Sequence, residues 1–177
     1  MQFADCVEGP VRPAQFTVVE RRGCDLHPID AGSEQGRLLL TSFVWPFHVH
    51  RHRRLAAALR VAAEHPVTVD RAVAGDWLGQ RLSHGGDGGV LTVVWHSITR
   101  LYWPESEIRA VEEVLAHFGT RSPLARVSME FGTDPDAPAM PELRTTLWTP
   151  GEGVQSRLLG TVHHHGVPVW LDHPTTA

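Results

Sequence analysis

Three groups of residues in this 177-residue chain have the types and spacing to do chemistry. The first is His96-Ser97, which closes the apolar run Val90-Leu-Thr-Val-Val-Trp95. Adjacent strand residues point to opposite faces, so these two do not form a dyad. His96 alone is the general-base candidate, because an imidazole just beyond a strand can exchange protons near neutral pH. The bland alternative is a strand-end histidine satisfied by backbone. Glu130, at the end of the next parallel strand, is a weaker partner for it. The second group is acidic. Asp25, Asp30 and Asp76 lie before or at the start of helical stretches, where a carboxylate ordinarily caps free backbone N–H groups. The third is rich in histidine: His48 and His52 share a helical face at chelating spacing, and His163-His-His165 lies at a turn where consecutive side chains diverge. Neither supplies a complete ligand shell and no HExxH pattern occurs, so no metal is expected.

Several chemistries drop out on composition. All sixteen basic residues are arginine, which removes Schiff-base lysines and the phosphate-binding lysine of Walker motifs. Cys6 and Cys24, the only cysteines, make neither a disulfide framework nor a four-thiolate zinc site; a reducing, cytoplasmic compartment is expected. The formal net charge of -4 and pI near 6.3 give no general pull toward nucleic acid or an anionic membrane. Arg51, Arg53, Arg54 and Arg60 make one basic helix, but without interleaved aromatic platforms it reads as a solvated face. The Gly85-Gly86 and Gly88-Gly89 loop precedes a strand, the wrong side for a phosphate cradle. No apolar run is long enough to span a bilayer, and the N-terminus lacks the apolar segment of a signal peptide.

The elements that must position these residues follow from periodicity. Hydrophobic residues at 42% and charged residues at 20% describe an ordinary globular chain. Residues 1–15 read as an irregular lead-in, 16–172 as a single α/β domain and 173–177 as a tail. A strand is predicted at 16–21, a helix over 33–44 capped by Ser33, and a second over 47–64 with Leu55 and Leu59 on its core face. A strand at 67–70 and a helix at 76–82 follow, then a glycine loop at 84–89. The run at 90–95 reads as a central strand buried on both faces. The clearest helix is 104–118: Pro104 suits its first position, Glu105 and Glu107 favour its positive end, and Gly119 ends it. Its apolar face carries Ile108, Val111, Leu115 and Phe118. Strands at 124–131, 142–148, 156–163 and 167–171 complete the chain. Strand-helix alternation followed by strands alone implies a mostly parallel sheet flanked by helices, with a C-terminal antiparallel appendage. Such sheets bind ligands beyond the carboxyl ends of their strands.

Four blocks make the chain familiar: Val18-Val-Glu-Arg-Arg-Gly-Cys-Asp-Leu-His-Pro-Ile-Asp30, Ser42-Phe-Val-Trp-Pro46, Ala74-Gly-Asp-Trp-Leu78 and Val93-Val-Trp-His-Ser97. In residues and spacing they resemble the bacterial domain-of-unknown-function family twenty-three thirty-two, from about Asp5 to Leu171. Members of that family look like class I S-adenosylmethionine-dependent methyltransferases. The resemblance implies an incomplete Rossmann-like core holding the second through seventh strands of the methyltransferase order. The first strand and its glycine motif are missing before Phe16, so the chain resembles the C-terminal part of such a protein. It further implies Asp25 on the ribose hydroxyls of the cofactor, Asp76 near the adenine amino group, Trp77 against the ring and His96 on the substrate side.

Three readings follow from the resemblance. The chain is a methyltransferase-like domain inactive alone, a non-catalytic binding or assembly module, or a gene fragment. A partner chain or an upstream segment would complete its sheet. The sharpest expectation concerns the missing central strand. An unpaired buried backbone group costs about 1–3 kcal/mol, so the strands at 16–21 and 90–95 are expected to pair directly in parallel, drawing Asp25 and His96 together.

Overall fold

The computed structural model describes residues 7–8, 14–83, 89–132 and 140–172. In chain order the elements are β1 (Val7–Glu8), β2 (Arg22–Asp25), α1 (Glu34–Ser42), α2 (Val49–Glu64), β3 (Thr68–Arg71), α3 (Ala74–Leu82) and β4 (Thr92–Ser97). A 3-10 turn at Arg100–Tyr102 leads into α4 (Glu105–Gly119), followed by β5 (Leu124–Glu130), β6 (Glu142–Thr149), β7 (Gly153–Val162) and β8 (Val169–Leu171). They divide into two compact units, one made of Met1–Gln15 with Leu78–Ala177, the other of Phe16–Trp77. Most of the expected glycine loop and the whole C-terminal tail lie outside the described residues.

The larger unit is built on a six-stranded sheet in the order β1-β8-β7-β6-β5-β4. Only β4–β5 and β1–β8 are parallel; β5–β6, β6–β7 and β7–β8 are antiparallel. The expected mostly parallel sheet is therefore a mixed one. The reason is connectivity. Parallel neighbours need a crossover, and α4 carries the chain from β4 to β5, whereas β6 and β7 meet through a tight turn that makes them antiparallel. The β6–β7 register shifts between Leu143 and Arg144. Gly160 sits there at φ +152, where an added Cβ would run into the Trp170 carbonyl.

The core of this unit lies between α4 and the sheet. The periodic face predicted for α4 is the one that packs: Val111, Leu115 and Phe118 are buried together with Leu124, Trp148 and Val162. Gly119 closes α4 against Trp148, whose ring a Cβ at that position would strike. Gly119 is thus the last helical residue, kept small by packing, and Pro104 is the N-cap rather than the first helical position.

β4 is not a central strand. Among the described residues its one partner is β5, and Val93 and Trp95 are 54% and 57% exposed. A continuous apolar run looks the same in sequence whether one neighbour is present or two, and here one is found among the described residues.

In the smaller unit, β2 and β3 form a two-stranded parallel sheet. The strand expected at 16–21 lies later in the chain: those residues are irregular and mostly exposed, and pairing begins at Arg22. An Arg22–Asp70 ion pair at 3.1 Å stands beside that ladder. Ser33 caps α1 as predicted, its hydroxyl accepting from Gly36 N–H at 2.9 Å. α2 buries no residue, and Leu55 and Leu59 are only half-buried. The expected direct pairing of the strands after Phe16 and after Val90 is not seen: among the described residues β2 pairs with β3 and β4 with β5. Val7–Glu8 pairs with β8.

Candidate functional site

The parallel register of β4 and β5 brings their carboxyl ends level, His96 against Ser128 and Ser97 against Met129. Glu130 comes two residues after Ser128, so it projects on the same face as His96. The two side chains meet: His96 Nδ1 donates to Glu130 Oε1 at 2.8 Å, with side-chain exposures of 12% and 11%. The residues after β4 then close around the carboxylate. Ile98 N–H makes a last ladder bond to the Met129 carbonyl at 2.9 Å, and the chain turns with Ile98 at φ 50. The next two backbone N–H groups donate to Glu130: Thr99 to Oε1 at 3.1 Å and Arg100 to Oε2 at 3.3 Å. The Thr99 hydroxyl adds a contact to Oε1 at 3.3 Å. Trp103 lies beside the imidazole, ring centroids 5.5 Å apart and tilted by 38°.

Because an ionised carboxylate only accepts, the 2.8 Å contact calls for a proton on Nδ1, and in the neutral imidazole the lone pair then lies on Nε2. Among the described residues Nε2 has no hydrogen-bond partner. An imidazole oriented through one nitrogen by a carboxylate, with the other nitrogen unclaimed, is the arrangement a general base requires. The predicted alternative for His96, a ring bonded only to backbone, is not what the contacts show. Ser97, as expected, takes no part in the pair.

A second polar cluster ties α4 to the sheet. Arg126 Nη1 donates to Glu112 Oε1 at 2.6 Å, and Arg100 Nη1 lies 3.5 Å from the same oxygen. The Arg126 guanidinium also stands 5.6 Å over the Trp148 ring. Arg100 thus joins Glu130 through its backbone N–H, while its half-exposed side chain lies beside Glu112 of α4.

The acidic residues of the smaller unit occupy the carboxyl end of its sheet. Asp25 is exposed; its Oδ1 accepts from His27 N–H at 2.7 Å in a local turn, and its backbone oxygen accepts from Ala72 N–H at 3.1 Å. Asp30 likewise accepts from Gly32 N–H, leaving the cap of α1 to Ser33. Asp76 is exposed in the first turn of α3. Trp77 is half-buried and its indole N–H donates to Asp70 Oδ2 at 2.8 Å, so its edge is committed. Asp25 Oδ2 and the Asp76 carboxylate have no partner among the described residues, so both remain able to accept hydrogen bonds from a ligand. Trp77 offers such a ligand a ring face only.

The side chains of His163, His164 and His165 do not diverge as expected: their ring centroids lie 4.1, 4.3 and 5.4 Å apart. His48 is the N-cap residue of α2 with Nδ1 3.4 Å from Arg51 Nη1, and the rings of His163 and His164 stack at 4.1 Å. Among the described residues no set of three or more His, Cys, Asp or Glu could hold a metal. No described helix is long and apolar enough to cross a membrane. An open groove of about 420 Å³ runs between α3 and α4, floored by Leu82, Val114 and Phe118, and neither His96 nor Glu130 lines it.

Of the residues in this cluster the sequence singles out His96, with Glu130 as a weaker partner, and not Ile98, Thr99, Arg100 or Trp103. Their one sequence signal is position, in the segment just beyond the carboxyl end of a parallel strand. No curated protein and no solved structure matches the chain. Over residues 1–170 it matches the family model described as an uncharacterized protein conserved in bacteria (DUF2332), and the chain belongs to that bacterial family.

Proposed function

We propose that His96 is a general base, oriented by Glu130, in a group-transfer site of the methyltransferase-like kind. The carrying observation is the 2.8 Å contact from Nδ1 to Glu130, with Nε2 left without a partner among the described residues. Nε2 takes the proton of a substrate hydroxyl or amine as that atom becomes the nucleophile. Glu130 stabilises the imidazolium that forms, and Trp103 excludes water from one side of the ring. Proton removal of this kind contributes about 10²–10⁴-fold to a rate. S-adenosylmethionine, when bound, supplies an electrophilic methyl group. In the smaller unit, Asp25 and Asp76 would hold the nucleoside end of that molecule, an assignment separate from that of His96 that rests on the family resemblance together with their open carboxylates.

Calorimetry and turnover test the two parts. Binding of S-adenosylmethionine to the chain alone is expected to be weak and to disappear in Asp25→Ala. Micromolar binding that survives Asp25→Ala would overturn the cofactor assignment. With methyl donor and a panel of small hydroxyl and amine acceptors, His96→Gln is expected to lower any turnover by about 10²-fold or more. Turnover indifferent to His96→Gln would overturn the base.

A second reading, a non-catalytic assembly module, is favoured by the single-partnered β4 with Leu91, Val93 and Trp95 exposed. A second copy of the chain would then pair with β4 in antiparallel fashion about a two-fold axis. Sedimentation decides it: a dimer abolished by Val93→Arg supports this reading, and a monomer at high concentration removes it.

A further inference from the structure

We infer that the turn Ile98-Thr99-Arg100 is a carboxylate-binding device that positions Glu130 and thereby fixes the tautomer of His96. This deepens the general-base reading and rests on it. Glu130 could orient an imidazole with one oxygen and no further help. Instead both of its oxygens are gripped, Oε1 by the Thr99 N–H and hydroxyl and Oε2 by the Arg100 N–H. Successive backbone N–H groups after a left-handed residue form a concavity that favours an anion, and bonds to an ionised acceptor are stronger than neutral ones. A carboxylate held this way stays an acceptor, so the only compatible imidazole is one that presents N–H at Nδ1.

The backbone shows that the turn is demanded by its surroundings rather than by its sequence. Ile98 has φ 50, a region that β-branched residues rarely enter and that glycine enters freely. Two interactions on either side force it. The Ile98 N–H is held by the Met129 carbonyl, and the Thr99 and Arg100 N–H groups are held by Glu130, one residue further along the same strand. The chain must reverse between them within a single residue. The Arg100 side chain lies 3.5 Å from Glu112 Oε1, a half-exposed pair that solvent screens, so its part in the turn is the backbone N–H. Thr99 and Arg100 are positioning residues by this account, acting on His96 through Glu130.

Long-range proton–nitrogen spectra of the full chain report which His96 nitrogen carries the proton, without any knowledge of the substrate. The wild type is expected to show Nδ1 protonated and Nε2 bare. Thr99→Val is expected to move the signals toward mixed tautomers, and Thr99→Ser to restore them. Arg100→Pro, which deletes the N–H to Oε2, should move them further, while Arg100→Ala, which keeps that N–H, should not. Ile98→Gly should leave the tautomer in place, since glycine adopts the same φ. Amide signals from α4 and β6 report whether each variant remains folded; if Arg100→Pro does not fold, the Thr99 pair decides. His96 signals unchanged in Thr99→Val but displaced in Glu130→Ala would overturn the positioning role and leave the base intact. Signals unchanged in Glu130→Ala as well would overturn the reading of His96 itself.

Discussion

Residues 78–177 and residues 16–77 draw on the same kinds of sequence, yet they hold their apolar side chains in opposite ways. The first region buries Leu78, Leu82, Val111, Leu115, Phe118, Leu124, Met129, Trp148 and Val162. In the second, the only buried residues are Gly36 and Gly75, while Phe43, Trp45 and Phe47 are 61%, 70% and 90% exposed. Helical periodicity is present in both. A helix becomes part of a core only where a sheet wide enough to receive its face exists. α4 has β5 and β6 beneath it, whereas α1 and α2 belong to a unit whose sheet has two strands. A two-stranded sheet is marginal by itself, and burial of apolar area at roughly 25 cal/mol per Å² has little to act on there. Hydrogen exchange should divide along the same line, with protection in α4 and β5–β7 approaching that of global unfolding and protection in α1 and α2 close to none.

The largest effect expected from a single substitution sharpens this contrast. Leu115 is fully buried, and Leu115→Ala should cost about 2–5 kcal/mol through lost burial and the cavity left behind. Leu59, at an equivalent place on the apolar face of α2, is half-exposed, and Leu59→Ala should cost no more than roughly 0.5 kcal/mol. Urea denaturation followed by circular dichroism measures both. Equal losses at the two positions would break the comparison.

Next in size is Gly119→Ala. Alanine normally favours a helix over glycine, but here its Cβ would enter the Trp148 ring. A net destabilisation of about 1–3 kcal/mol is expected from overpacking, read as a lower denaturation midpoint. A stabilised variant would show that the helix end can shift away from β6.

The same contrast explains what was legible in the sequence. α4 was, because its cap-region proline, its acidic first turn and the spacing of Val111, Leu115 and Phe118 all agree with one buried face. The strand at 124–131 and the three that follow were legible for the same reason, since each pairs with a neighbour close in sequence. β2 was not: the β-branched run before Arg22 has strand propensity, but the ladder forms where β3 can pair, at Arg22–Asp25. The edge position of β4 was invisible because it depends on a neighbour rather than on the strand. At the site, His96 could be chosen from its place after a strand. Its partner lies 34 residues away and is brought in by register alone. The grip on Glu130 is made mostly by backbone N–H groups, which every non-proline residue carries, so no residue type announces it.

In the smaller unit, capping should outweigh packing. The Ser33 hydroxyl accepts from Gly36 N–H at 2.9 Å, and Ser33→Ala should weaken α1 by about 1 kcal/mol. That loss is expected in the exchange rates of α1 amides, with α4 amides unchanged. Coupled slowing or quickening of both helices would mean that the two regions unfold together.

The smallest effect belongs to the ion pair beside β2 and β3. Arg22 Nη2 approaches both oxygens of Asp70, at 3.3 and 3.1 Å, with each side chain about one-third exposed. Solvent screening at that exposure limits such a pair to roughly 0–1 kcal/mol. Asp70 has a second duty, accepting from the Trp77 indole N–H at 2.8 Å. The two substitutions should therefore differ. Arg22→Ala removes a screened attraction and leaves the indole bond in place, so Trp77 emission should be nearly unchanged and exchange in β2 only slightly faster. Asp70→Ala removes both interactions and strips a half-buried N–H of its acceptor, a loss of about 1 kcal/mol by ordinary hydrogen-bond values, with a shift in Trp77 emission. A double variant no worse than Asp70→Ala alone would show that Arg22 acts only through Asp70. A double variant that loses the sum of the two would show the arginine acting on a group other than Asp70.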